Sequence, residues 1–95
     1  MMVALAILFA ESCQTQESVW NELNSKVGTL YQQGRYVEAE DVAKEALKVA
    51  EKTFGTNHPD VATSLNNLAA LYRQIGKEDE AEILETRARK IRSKR

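Results

Sequence analysis

From Ser18 onward, the apolar residues of the chain fall at Trp20, Leu23, Val27, Leu30 and Tyr31. Steps of three, four, three and one keep them on one side of a helix and do not fit a strand. Gly34-Arg35 interrupts the pattern, which resumes at Tyr36, Ala39, Ala43, Ala46, Leu47, Ala50 and Phe54 and closes at Gly55. A third stripe runs through Val61, Leu65, Leu68, Ala69, Tyr72 and Ile75, and Gly76-Lys77 then turns the chain. Ala81, Leu84, Ala88 and Ile91 mark a fourth. The pattern predicts an all-α protein of four main helices.

The turns fix how these helices are arranged. Gly34 and Gly55 are natural helix-ending residues, because glycine enters the left-handed backbone region without steric cost. A connection as short as the one around Gly34 forces an antiparallel hairpin. Gly28, Ala39, Ala43 and Ala46 are small enough to let the two backbones approach closely. Pro59 suits the first position of the third helix, where its missing N–H would be unpaired anyway, with Asn57 or His58 as the cap and Asp60 in the first turn. On the polar side, Glu40 and Lys44 are placed for an i,i+4 ion pair. Trp20 and Tyr36 sit at helical spacing and are expected in the core rather than in a ligand box.

Composition narrows the picture further. At 43% hydrophobic and 28% charged, the 95 residues form one small globular domain and not a disordered chain. Four glycines and one proline leave the helical pattern uninterrupted except at its turns. One histidine, one cysteine and no glycine-rich phosphate loop leave no nucleophile–base pair, cofactor motif or metal cluster, so neither an enzyme nor a cofactor-binding protein is expected. A lone cysteine also excludes an internal disulfide and a cysteine-based structural zinc site.

The net charge of −1 conceals a strong asymmetry: all 14 acidic residues precede residue 86, and the last nine residues, RARKIRSKR, hold six basic side chains. Those cations suit the negative pole of a helix end. Without interleaved aromatic residues for base stacking, nucleic acid is a remote partner for them.

The first ten residues, MMVALAILFA, are all apolar. The run is too short for a spanning helix, which needs ~20 residues, but fits the ~7–15 residues of a signal-peptide core. Ala10-Glu11-Ser12 then gives a small-x-small pattern directly before Cys13. This arrangement resembles a bacterial lipoprotein signal, which implies lipidation of Cys13, a membrane anchor through that lipid, and a periplasmic or membrane-anchored location. It departs from such signals in having no Lys or Arg ahead of the run, alanine at residue 10 and glutamate at residue 11. The alternative is a hydrophobic helix packed on the first helical pair of a cytoplasmic protein. The organisation expected is a signal segment over 1–13, a polar spacer over 14–17, one helical pair over 18–55, a second over 56–92, and a basic tail over 93–95.

The two pairs are copies of one unit. Gly34 aligns with Gly76, Ala39 with Ala81, Glu40 with Glu82, Ala46 with Ala88 and Val49 with Ile91, each 42 residues apart. Repetition at such a period signals stacked supersecondary units. HPDVATSLNNLAALY, followed by a glycine turn and EAE, resembles the tetratricopeptide repeat, in particular the long variety found in kinesin light chains. The resemblance covers Ser18 to about Ile91 and implies two stacked antiparallel helical hairpins, a fragment of an α-solenoid. Two departures stand out. The first repeat is one residue short between Tyr31 and Gly34, so its first helix should end tighter or shift its face. In the last helix, Glu85 and Arg89 stand where an aromatic residue and a leucine would pack on a following repeat. The polar outer face they make is that of a terminal cap, and no further repeat is expected after it. His58-Pro59-Asp60 also spells the tripeptide of J-domain co-chaperones, but here it opens a helix and lacks the basic helix that should precede it.

The resemblance implies a non-catalytic protein-interaction module that holds an extended peptide or partner helix in a groove lined by the first helix of each pair. Matching positions place Thr63, Asn66, Asn67, Ala70, Arg73 and Gln74 on that groove, with Glu22, Ser25, Lys26, Thr29 and Gln32 from the first pair. Asn67 is the sharpest candidate, since an amide can bond a peptide backbone whatever its side chains. Arg73 and Lys26 are candidates to meet a carboxylate. Because two repeats are few for a continuous core, a homodimer is also expected as a possibility, with Trp20 and the open side of the first helix as its surface. A structural unit acting by self-association is the alternative function.

Overall fold

The computed structural model describes residues 15–94. The chain folds as four helices: α1 (Gln16–Gln32), α2 (Tyr36–Phe54), α3 (Pro59–Gln74) and α4 (Glu78–Ser93). Helix α1 pairs with α2 and α3 with α4, and α3 is packed between α2 and α4 while also touching α1. This is the two-hairpin stack expected from the pattern. Residues 1–14, with the signal segment and Cys13, lie outside the described residues.

Each helix begins where local chemistry allows. The Thr15 hydroxyl accepts from the Ser18 N–H at 3.0 Å, so α1 starts at Gln16, two residues ahead of the sequence boundary. At α3 the cap is His58, not Asn57: its Nδ1 accepts from the Asp60 N–H at 3.0 Å, and Pro59 follows at the first helical position.

Helices α1 and α3 end in the same way. Gly34 and Gly76 take φ of 75° and 86°. Around them the Arg35 N–H bonds the Leu30 carbonyl at 2.9 Å and the Lys77 N–H bonds the Tyr72 carbonyl at 2.7 Å. The glycine N–H groups bond the carbonyls of Tyr31 and Arg73. These paired bonds satisfy the last helical carbonyls in both hairpins. The one-residue deficit of the first repeat is absorbed here. Leu30 is buried at the register of Leu71, yet it makes the capping bond that Tyr72 makes in α3. Helix α1 therefore stops one residue sooner on the same stripe, and Tyr31 comes to the turn where α3 has Arg73.

Two clusters form the core. One gathers Trp20, Ala46, Ala50, Val61, Leu65 and Ile91, and the other Val27, Leu30, Ala43, Leu68 and Leu71. Leu47 and Leu84 pack against both and join them. The alanines bring α2 against its neighbours: Ala39 and Ala50 are wholly buried. Gly28 does not share this task. It is exposed, and a Cβ added to it would meet nothing within 4 Å, so the expected close approach through Gly28 is not made.

Trp20 also departs from the association surface expected of it. It is buried at 7% exposure, its Nε1–H donates to the Ser64 hydroxyl at 2.7 Å, and its ring meets Phe54 edge-on at 5.8 Å. Phe54 in turn stacks on His58 at 4.7 Å. This ladder ties the start of α1 to the turn before α3. The Glu40–Lys44 pair forms as expected, at 2.9 Å.

Candidate partner-binding groove

Side by side, α1 and α3 leave an open groove between them. Its α1 wall is Asn24, Val27, Gly28, Tyr31 and Gln32; α3 contributes Asn67 and Ala70. Val27 belongs to the core and closes the floor, while the bare backbone of Gly28 and the small Ala70 keep the walls low. Among the described residues, no formally charged side chain lines the groove.

Its polar centre is a pair of amides. Asn67 Nδ2 donates to Asn24 Oδ1 at 2.8 Å, both residues being half-buried. The bond leaves an acceptor on Asn67 and a donor on Asn24, the complement of one peptide unit. Further along, Gln74 Nε2 donates to the Tyr31 hydroxyl at 3.1 Å, and Tyr31 packs edge-on against Tyr36 at 5.3 Å. With the buried Trp20–Ser64 bond, three polar bridges thus cross from α1 to α3, one of them in the groove and one at its rim.

The residues singled out from the sequence separate in space. Asn67 is in the groove and Gln74 at its rim, together with Gln32 and Ala70. Thr63 is half-buried and turns its hydroxyl back to the Pro59 carbonyl at 3.3 Å. Asn66 is half-buried outside the lining, and Lys26 is exposed on α1 away from it. Arg73 faces α4: its guanidinium bonds both oxygens of Glu85, at 3.0 and 2.6 Å, and also bonds Glu78. The Glu85 hydrogen bond is the main cause that raises the Arg73 pKa, and the same bond holds the Glu85 carboxyl below its ordinary range. Arg73 is therefore already matched to carboxylates of its own chain.

Asn24, Val27, Gly28 and Tyr31 are the groove residues that the sequence pattern did not indicate. Packing positions in α1 and α3 repeat every 41 residues, which aligns Asn24 with the core residue Leu65. Cross-groove contacts follow a different offset: Asn24 meets Asn67 and Tyr31 meets Gln74, each 43 residues apart. The usable signal was a polar pair displaced two residues from the repeat register.

Helical hairpins stacked in this way, with a groove along their first helices, define an α-solenoid repeat protein. The model of the tetratricopeptide repeat family matches residues 20–94, and the chain belongs to that family. The family is in general one of protein–protein interaction scaffolds without catalytic activity. Among the described residues, no three His, Cys, Asp or Glu side chains gather as a metal site would require, and no helix is long and apolar enough to cross a membrane.

Proposed function

We propose that this protein binds an extended peptide or a partner helix in the α1–α3 groove. The observation that carries this reading is the Asn24–Asn67 amide pair, set in an uncharged groove beside the bare strip of Gly28. An amide pair offering one donor and one acceptor reads main chain before side chain, so a segment is recognised by its backbone course and fit.

Peptides selected from a random display library on the wild-type protein test the reading. Asn67→Ala is expected to weaken them about tenfold, the worth of one hydrogen bond that leaves a partner unsatisfied. The side-chain amide signals of Asn24 and Asn67 should shift on binding. Selected peptides that shift another face and ignore both Asn67→Ala and Asn24→Ala would sink it.

Export is part of the same proposal. The apolar run over residues 1–10, followed at residue 13 by Cys13, supports a lipid anchor that would hold the groove at the periplasmic face of a bacterial membrane. The intact mass of the natural protein should show a chain beginning at Cys13 and carrying acyl groups; an unprocessed Met1 counts against it.

A further inference from the structure

Helix α4 carries two faces. Ala81, Ala88 and Ile91 are buried, and Leu84 packs with them. On the opposite face, Asp79, Glu82, Ile83, Thr86, Arg87 and Lys90 line an open depression. Ile83 is 69% exposed there, one of two large apolar side chains so placed among the described residues. Asp79, Ile83, Thr86 and Lys90 follow steps of four, three and four, the spacing that forms a seam between two helices.

The order of charge along that seam is unusual. Acidic residues fill the first half of α4 and basic residues the second. A parallel partner would set like against like. An antiparallel copy of the same helix, related by a two-fold axis passing between Leu84 and Glu85, sets opposite charges together at both ends of the seam. Asp79 then faces Lys90 of the second copy, and Ile83 packs on its Thr86. On the flanks of an antiparallel pair, residues of the same side meet, which brings Glu82 to Arg89.

We infer that the exposed face of α4 is a self-association surface, pairing two copies of this chain through antiparallel α4 helices. The contact is isologous and closes on itself, as a two-fold interface must. The apolar N-terminal run is a poorer occupant, because it would leave Asp79, Glu82 and Lys90 facing hydrocarbon without partners. Arg87 already bonds Glu51 of its own chain at 2.6 Å, so it takes no part in the pairing. This surface is separate from the groove, so the inference does not depend on what the groove binds.

Sedimentation equilibrium of the full chain should show a monomer–dimer equilibrium that weakens as salt is added, since the pairs are exposed. Asp79→Lys alone and Lys90→Glu alone should each raise the dimer dissociation constant about tenfold. Mixing the two variants should restore association, because each copy then offers the charge that the other lacks at both ends of the seam; a parallel pair, which sets Asp79 on Asp79, would not be weakened by either reversal alone. Circular dichroism checks that both variants stay helical, and the restoration cannot come from misfolded chains. Sedimentation as a monomer at every concentration overturns the inference. So does association that ignores both reversals, or a mixture that remains as weak as its parts.

Discussion

Trp20→Ala is expected to unfold most of the population at 37 °C. Removing a buried tryptophan typically costs about 3–5 kcal/mol, which is most of what a domain of this size has in hand. Here the loss is compounded. Ser64, 2% exposed, keeps a hydroxyl that has lost its partner, and Phe54 loses the ring it meets edge-on. Trp20→Phe separates the contributions in part: it keeps much of the apolar contact and removes the donor with the outer part of the ring, the lost hydrogen bond costing about 1–3 kcal/mol. Urea unfolding followed by circular dichroism checks both, with Trp20→Ala giving the far lower midpoint. Equal midpoints for the two variants would show that the ring contributes little beyond its N–H.

The second large effect lies in the middle of the stack. Leu71 is fully buried, in contact with the cluster that contains Leu30 and Leu68. Leu71→Ala should cost about 2–5 kcal/mol through lost transfer energy and the cavity left behind. Ile75, half-buried at the C-terminal end of α3, should cost well under half as much when cut to alanine. Chemical denaturation of the two variants side by side decides the matter. A larger effect at Ile75 would mean that the last turn of α3, not its interior, carries the packing.

That pair of residues also shows where the sequence was and was not legible. The number, direction and turns of the helices follow from apolar spacing and from Gly34, Gly55 and Gly76, because each of those signals acts over a few neighbouring residues. The third stripe was read through Tyr72 and Ile75, whereas the structure buries Leu71 more deeply than either. A helix held between two others is covered over more than one stripe, and Ala62, Ser64 and Leu71 lie on the added width. Periodicity marks the centre of a buried face but not its breadth.

The groove was harder to read for a related reason. Asn67 was recognisable from its place in the repeat, but its partner depends on how far α1 slides along α3, a quantity set by tertiary packing. Arg73 illustrates the converse. Its position in the repeat suggested a ligand contact, yet Glu78 and Glu85 lie within reach in the folded chain and take its charge. Sequence spacing gives the face of a residue; it does not give the competitors waiting there.

The commitment of Arg73 to α4 has a consequence for how the two surfaces would behave together. With no formal charge among the described residues that line the groove, contact with a ligand there forms no ion pair with the lining, and ionic strength has less hold over it. The α4 face depends on charge at both ends of its seam. Two contacts on one small stack would thus answer to different solution variables, so a change in salt could alter how many copies stand together without altering what each one holds.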